Sequence, residues 1–186
     1  MDNRSAAIAL GVALCCLGAA APATSSKQMS DGKWWMTRNL NVSTASSYCY
    51  DDSERHCRRY GRLYTWEAAQ LGCRSLGNGW RLPTDGEWRQ IARHHGGVGE
   101  DSNDAGHAAY RALLRGGRSG FDAVLGGNRS KDGRYERLEA HGFYWTASAN
   151  DSTSAPFYNF GKGGLALNRQ PDGDKAMAIS VRCVRD

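Results

Sequence analysis

The spacing of apolar residues along this chain switches between a strand-like and a helix-like period. Trp34-Trp35-Met36, followed by Leu40 and Val42, reads as a short strand, and Ser43–Ser47 as a loop. Tyr48 to Arg59 is dense in charge and reads as a polar loop with a cysteine near each end. Thr65 then stands where a helix N-cap belongs, ahead of W-E-A-A-Q-L-G-C. Trp66, Ala69, Leu71 and Cys73 supply the buried side of that helix, and Gly77 ends it. Thr84-x-x-Glu87 has the form of a capping box, in which hydroxyl and carboxylate each accept from the other residue's amide. Trp88, Ile91 and Ala92 follow as an i, i+3, i+4 stripe that Gly96-Gly97 stops. Ala105–Leu114 predicts one more short helix.

Beyond it, glycines at 116, 117, 120, 126, 127 and 133 separate short apolar runs. Gly142–Ser148, Phe157–Phe160 and Ala176–Val184 predict strands. In the last, Ile179, Val181 and Cys183 alternate with Ser180, Arg182 and Val184, the pattern of a half-buried strand. The plan is α+β: two main helices early, antiparallel strands late, and long glycine-rich loops between.

The first residues are different in kind. Ala6 to Ala21 carries no charge and is about 16 residues long, short of the roughly 20 that a membrane span needs. With Ala21-Pro22-Ala23 as an A-x-A cleavage site, it predicts a signal peptide over 1–23. A lipid anchor at Cys15 or Cys16 is the weaker alternative, because Leu14 and Cys15 stand where a small residue is required. Residues 24–30 are polar and read as a short tether, leaving 31–186 as a single domain. The expected location is outside the cytoplasm: periplasm, cell surface or medium, with no transmembrane segment.

Export changes the meaning of the cysteines. Four remain after cleavage, Cys49, Cys57, Cys73 and Cys183, and an even number in an exported chain predicts disulfides, with three pairings open. No C-x-x-C is present, and no histidine has metal-ligand spacing to them, so no metal site is predicted. The net charge of +5 is spread along the chain, with R-H-C-R-R at Arg55–Arg59 the densest patch. It suits a solvated surface or an anionic surface polymer. Nucleic acid is not expected as a partner, since no nucleic-acid motif accompanies the charge.

Six strings in fixed order carry a resemblance. They are W-M-T-R-N-L-N at 35–41, Y-C-Y-D at 48–51, C-R-R-Y-G-R-L-Y-T-W-E-A-A at 57–69, G-W-R-L-P-T-D-G-E-W at 79–88, F-Y-W-T-A-S at 143–148 and S-V-R-C-V-R-D at 180–186. Together they resemble the Fibrobacter succinogenes major paralogous domain, a family of exported bacterial proteins, from about Gln28 to Asp186. That family is similar to the C-type lectin-like fold of formylglycine-generating enzymes and of the variable proteins of diversity-generating retroelements. The resemblance implies terminal strands that meet, two helices and a loop-rich region before the last strand. It also implies Cys49–Cys57 and Cys73–Cys183 pairing, worth about 2–3 and about 4–5 kcal/mol by loop entropy.

Chemistry is sparse. The oxidase reading needs two neighbouring late thiolates for copper, and only Cys183 lies late in the chain. His94-His95 falls at a helix end, where a cation meets the dipole favourably. Asp85 and Glu87 are accounted for as helix-start residues. The sequence therefore predicts a non-catalytic module without a cofactor, binding a glycan or a surface protein. By analogy with lectin-like folds, the candidate contacts are Tyr158, Asn159, Lys162, Asn168, Arg169, Gln170, Asp172 and Asp174, whose amides, carboxylates and ring suit sugars. Gln170-Pro171-Asp172 resembles a calcium-lectin triplet, but W-T-A-S follows at Trp145 in place of W-N-D, leaving too few oxygens for calcium. A structural or adhesive scaffold is the alternative function.

Overall fold

The computed structural model describes residues 24–186, so the expected signal peptide over 1–23 lies outside the described residues. In chain order the elements are β1 (Ser26–Gln28), β2 (Trp34–Met36), β3 (Ser47–Tyr48), α1 (Glu54–Tyr60), β4 (Leu63–Tyr64), α2 (Trp66–Ser75), α3 (Asp85–Arg93), α4 (His107–Leu113), β5 (Asn128–Arg129), β6 (Tyr135–Glu136), β7 (His141–Trp145), β8 (Ser154–Gly161), β9 (Ala166–Asp174) and β10 (Val184–Arg185). The strands form small antiparallel sheets, two of them three-stranded, in the orders β1-β2-β10 and β7-β8-β9. No helix among the described residues is long and apolar enough to cross a membrane.

Chain ends meet in the first sheet. Trp35 pairs with Lys27 on one side and Val184 on the other, and its buried indole donates to Asp31 Oδ2 at 2.8 Å. Residues 24–30 are thus not a tether. Their polar side chains suit an edge strand with one wet face, and Met29 turns into the core.

The capping box of α3 forms as its sequence dictates. Thr84 Oγ1 accepts from the Glu87 amide at 3.2 Å, and Glu87 Oε2 accepts from the Thr84 amide at 2.8 Å. Arg81 forks onto the same carboxylate at 2.8 and 2.6 Å. Burial opposes ionisation of Glu87, but the Arg81 guanidinium and the Thr84 amide outweigh it and bring the carboxyl down to about 2. The apolar stripe does the rest. Trp88 stacks on Tyr158 with centroids 5.0 Å apart and meets Trp35 and Phe121 edge-on at 5.3 and 5.4 Å.

In α2 the buried positions are Ala68, Ala69, Gly72 and Cys73, whereas Leu71 is 56 % exposed and Trp66 half-buried. A 3.6-residue period puts 69, 72 and 73 on one face and turns Leu71 outward. Thr65 occupies the N-cap with extended backbone, although its side chain makes no capping bond. The helix expected at 105–114 is α4, entered through Gly106 at φ +79°.

Two segments depart from the pattern reading. Tyr48–Arg59 is not a loop throughout, since α1 occupies its second half with Cys57 and Tyr60 buried. Two apolar positions in seven residues give no periodic signal, so this helix is held by tertiary contacts. Residues 166–174 are β9, paired along β8 with Tyr158 opposite Arg169 and Asn159 opposite Asn168. The polar run 168–174 conceals a strand, and Asp172-Gly173-Asp174 is strand end, not turn.

The stretch 178–184 is buried on both faces, Ser180 and Arg182 included, and joins neighbours mainly by single bridges from Tyr64, Arg129 and Tyr144. It is a central filament and not a half-buried strand. Cys73–Cys183 ties it to α2, and Cys49–Cys57 closes the loop leading into α1. Both pairs are those that the resemblance implied.

Candidate functional site: an arginine-lined cleft

The residues expected to touch ligand are strung along the β8–β9 hairpin and do not converge. Tyr158 is fully buried, its ring against Trp88 and its hydroxyl donating to Asp85 Oδ1 at 3.0 Å, so it offers no face to a ligand. Burial, with the Asp85 carboxylate beside it, pushes that phenol well above its ordinary range. Arg169 donates to the same Asp85 oxygen at 2.8 Å, and Arg89 approaches Asp85 Oδ2 at 3.5 Å. Tyr158 and Arg169 therefore lock the hairpin to the start of α3.

The other six differ among themselves. Asn159 Oδ1 lies 2.9 Å from His141 Nδ1. Asn168 is half-buried against Gly99, where a Cβ would approach its Oδ1 to 2.4 Å. Asp172 accepts from Asn150 at 3.2 Å, and Asp174 from Lys131 at 3.1 Å. Gln170 is half-buried, and Lys162 is exposed at the hairpin tip. Neither carboxylate belongs to a group of three or more metal-ligand side chains among the described residues. The one three-residue group with metal-ligand proximity there, Cys49, Glu54 and Cys57, has its two sulfurs joined in a disulfide.

Convergence occurs elsewhere. A cleft of about 620 Å³ opens between the loop after β2, the C-terminal end of α1, the turn after α4 and the filament 178–184. Arg38, Arg58, Arg59 and Arg115 reach it from three of these segments, and Asp122 is the carboxylate residue in its lining. Arg59 pairs with Glu139 at 2.8 Å. Arg38, Arg58 and Arg115 have no carboxylate within 4.0 Å among the described residues. The walls approach closely because residue 61 is glycine: at φ +78°, a Cβ there would lie 2.5 Å from Asn39 Cβ and 2.8 Å from Leu40 O.

Arg182 lies beneath the floor, fully buried. Its guanidinium donates to Asn39 Oδ1 at 2.7 Å, Met36 O at 2.8 Å, Phe121 O at 2.6 Å and Asp122 O at 2.6 Å. All four acceptors are neutral. Burial pushes its pKa down to about 10, which still leaves the group charged at neutral pH. The Asp122 carboxylate offsets part of this charge, and the surplus of guanidinium groups lining the cleft suits an anion. Guanidinium forks match the two oxygens of a carboxylate, sulfate or phosphate.

None of the eight residues expected to touch ligand lines this cleft, and sequence reading marked only its charge. R-H-C-R-R is its densest basic patch, and Cys57, Arg58 and Arg59 line the cleft. Arg38, Arg115 and Arg182 lie far from it in sequence, and no local spacing joins them. The catalytic candidates have structural occupations: Glu87 and Asp85 as above, and His94 at the C-cap of α3 with His95 next to it. Burial, then the His94 and Arg118 charges, lowers the pKa of His95.

No curated protein and no solved structure matches this sequence. The model of the Fibrobacter succinogenes major domain matches residues 30–185. That span takes in both disulfides, the whole of the cleft and the six family strings except the final Asp186, and the chain belongs to the Fibrobacter succinogenes major domain family.

Proposed function

We propose that this protein is an exported, non-catalytic recognition module of C-type lectin-like architecture that binds an extracellular glycan through an acidic substituent held in the arginine-lined cleft. The observation that carries the reading is the cleft itself. It is a concavity of about 620 Å³ whose Arg38, Arg58 and Arg115 have no acid partner among the described residues, and concave sites with convergent polar groups are where ligands bind. Two disulfides suit a chain folded in an oxidising compartment. The meeting of β2 with β10 and the placing of α2 and α3 between them suit the lectin-like architecture. The non-catalytic reading rests on Asp85 and Glu87, the carboxylates nearest in sequence to a catalytic pair, which are both held in structural bonds.

The test is a printed set of neutral and acidic glycans probed with residues 24–186 and with Arg58→Ala/Arg115→Ala. Acidic glycans are retained by the parent and released by the double variant at unchanged melting temperature. Retention of neutral glycans alone, or equal retention by the variant, refutes the cleft. Capture of a surface protein with no glycan retained would support the scaffold reading instead.

A further inference from the structure

The cleft does not end at its arginines. A second hollow of about 430 Å³ shares Arg59, Tyr60, Arg115 and Val124 with it, so the two adjoin along these side chains. Its character differs. Tyr110, Leu114, Leu125 and Leu165 give it an apolar floor and wall, and Lys162 stands at the hairpin-tip end. Glu139, the acid in this second part, is paired with Arg59 and accepts a hydrogen bond from the Tyr60 hydroxyl. A cationic pocket therefore adjoins an apolar trough with another cation beyond it.

Leu165 makes the trough more than a packing defect. It is 51 % exposed, and its backbone sits at φ +50°, a region that costs a branched side chain strain and that glycine would occupy freely. Gly163 and Gly164 lie just before it in the same turn. Neither burial nor turn geometry accounts for a leucine at this position. Lys162 likewise has no carboxylate within 4.0 Å among the described residues.

We infer that the adjoining hollows take a linear acidic polysaccharide: the acidic group of one sugar in the arginine cleft, the C–H face of the next sugar ring over Leu165 and Leu114, and the following acidic group at Lys162. This rests on the reading of the cleft as a glycan site and adds polymer length and repeat to it. Apolar sugar faces and regularly spaced anions are what such a surface complements. Single-stranded nucleic acid, the other linear polyanion, binds through stacked bases, and Tyr60, the aromatic residue in the cleft's lining, is buried and covered by the Arg59 guanidinium at 5.0 Å.

The experiment is calorimetric titration of residues 24–186 with D-galacturonate, with its linear oligomers of increasing length, and with matched unsulfated and sulfated chondroitin oligomers, whose difference reports the sulfate alone. Neutral cello-oligosaccharides and single-stranded DNA are the controls. Affinity rises from monomer to short oligomer by on the order of a hundredfold, as the second and third contacts become intramolecular, and then levels off. Leu165→Gly/Lys162→Gln, in which glycine suits the backbone, loses that rise and keeps the monomer affinity. Arg58→Ala/Arg115→Ala loses both. Monomer binding with no length dependence, or a rise that survives in Leu165→Gly/Lys162→Gln, overturns the inference and leaves the cleft standing. Equal affinity for DNA overturns the polysaccharide assignment. Absence of acidic-sugar binding at any length removes the cleft reading, and this one with it.

Discussion

Glu87→Gln isolates the charge at the joint between 79 and 88. Glutamine still accepts from the Thr84 amide, so the cap survives in shape while the partner of Arg81 becomes neutral. In the folded chain the carboxyl titrates near 2 against an ordinary value of 4.5. At roughly 1.36 kcal/mol per tenfold change in proton affinity, the ionised form contributes about 3 kcal/mol. Only 11 % of the side chain is exposed, so solvent screening removes little of this. The sign follows from a folded pKa below the unfolded one. The contribution is complete above about pH 4.5 and is lost as pH falls toward 2. Urea unfolding of residues 24–186 with disulfides intact, at pH 7 and at steps down to pH 3, provides the measurement. The variant is less stable by about 2–3 kcal/mol at pH 7, and the two proteins converge on acidification. Other carboxylates titrate equally in both, so the difference reports Glu87. A gap under about 0.5 kcal/mol at pH 7, or one that does not narrow at pH 3, refutes the ion pair as a source of stability.

Thr84→Ala removes the other half of the capping box and costs about 0.5–2 kcal/mol in urea unfolding, with glycan retention unchanged because the cleft lies elsewhere. Arg182→Met removes the donor from Asn39 Oδ1 and from the carbonyls of Met36, Phe121 and Asp122, and costs about 3–5 kcal/mol, on the scale of breaking a buried charged cluster; full stability in this variant would show that the acceptors find other donors. Replacing Cys73 and Cys183 by alanine releases a 110-residue loop and costs about 4–5 kcal/mol, and peptide mapping without reductant recovers only the 49–57 and 73–183 pairs. Excess calcium leaves the melting temperature of residues 24–186 unmoved, since Asp172 and Asp174 are engaged by Asn150 and Lys131.

The parts of the fold legible in sequence are those whose physics is local. Thr84 and Glu87 satisfy each other across three residues, and Trp88, Ile91 and Ala92 share one face of one helix, so nothing distant is needed to see α3. What was hidden depends on partners far along the chain. α1 has two apolar positions and is held by a disulfide and by the segment around Asn39. β9 is polar because its outer face is wet, and β1 is an edge strand whose one core contribution comes just after it, at Met29. Arg182 reads as the solvent face of an alternating strand, since no spacing reveals carbonyls at 36, 121 and 122. The cleft is the extreme case. Arg38, Arg58 and Arg115 belong to separate segments, and only packing brings them to one depression. Tyr158, chosen for its ring, serves as core for the same reason that it looked useful: a large flat surface is also what Trp88 stacks on.

Arg182 also sets an order of assembly. Two of its bonds reach back 143 and 146 residues, to Asn39 and Met36, and β2 waits for Val184 and Arg185 to become its neighbour. Cys73 waits for Cys183 in the same way. The centre of the domain is thus supplied by its C-terminal segment, and an N-terminal portion of the domain alone has neither its floor nor its staple. A fragment that stops before residue 178 lacks the filament, the β2–β10 pairing and the long disulfide together, and truncation there removes the core's centre and not merely its edge.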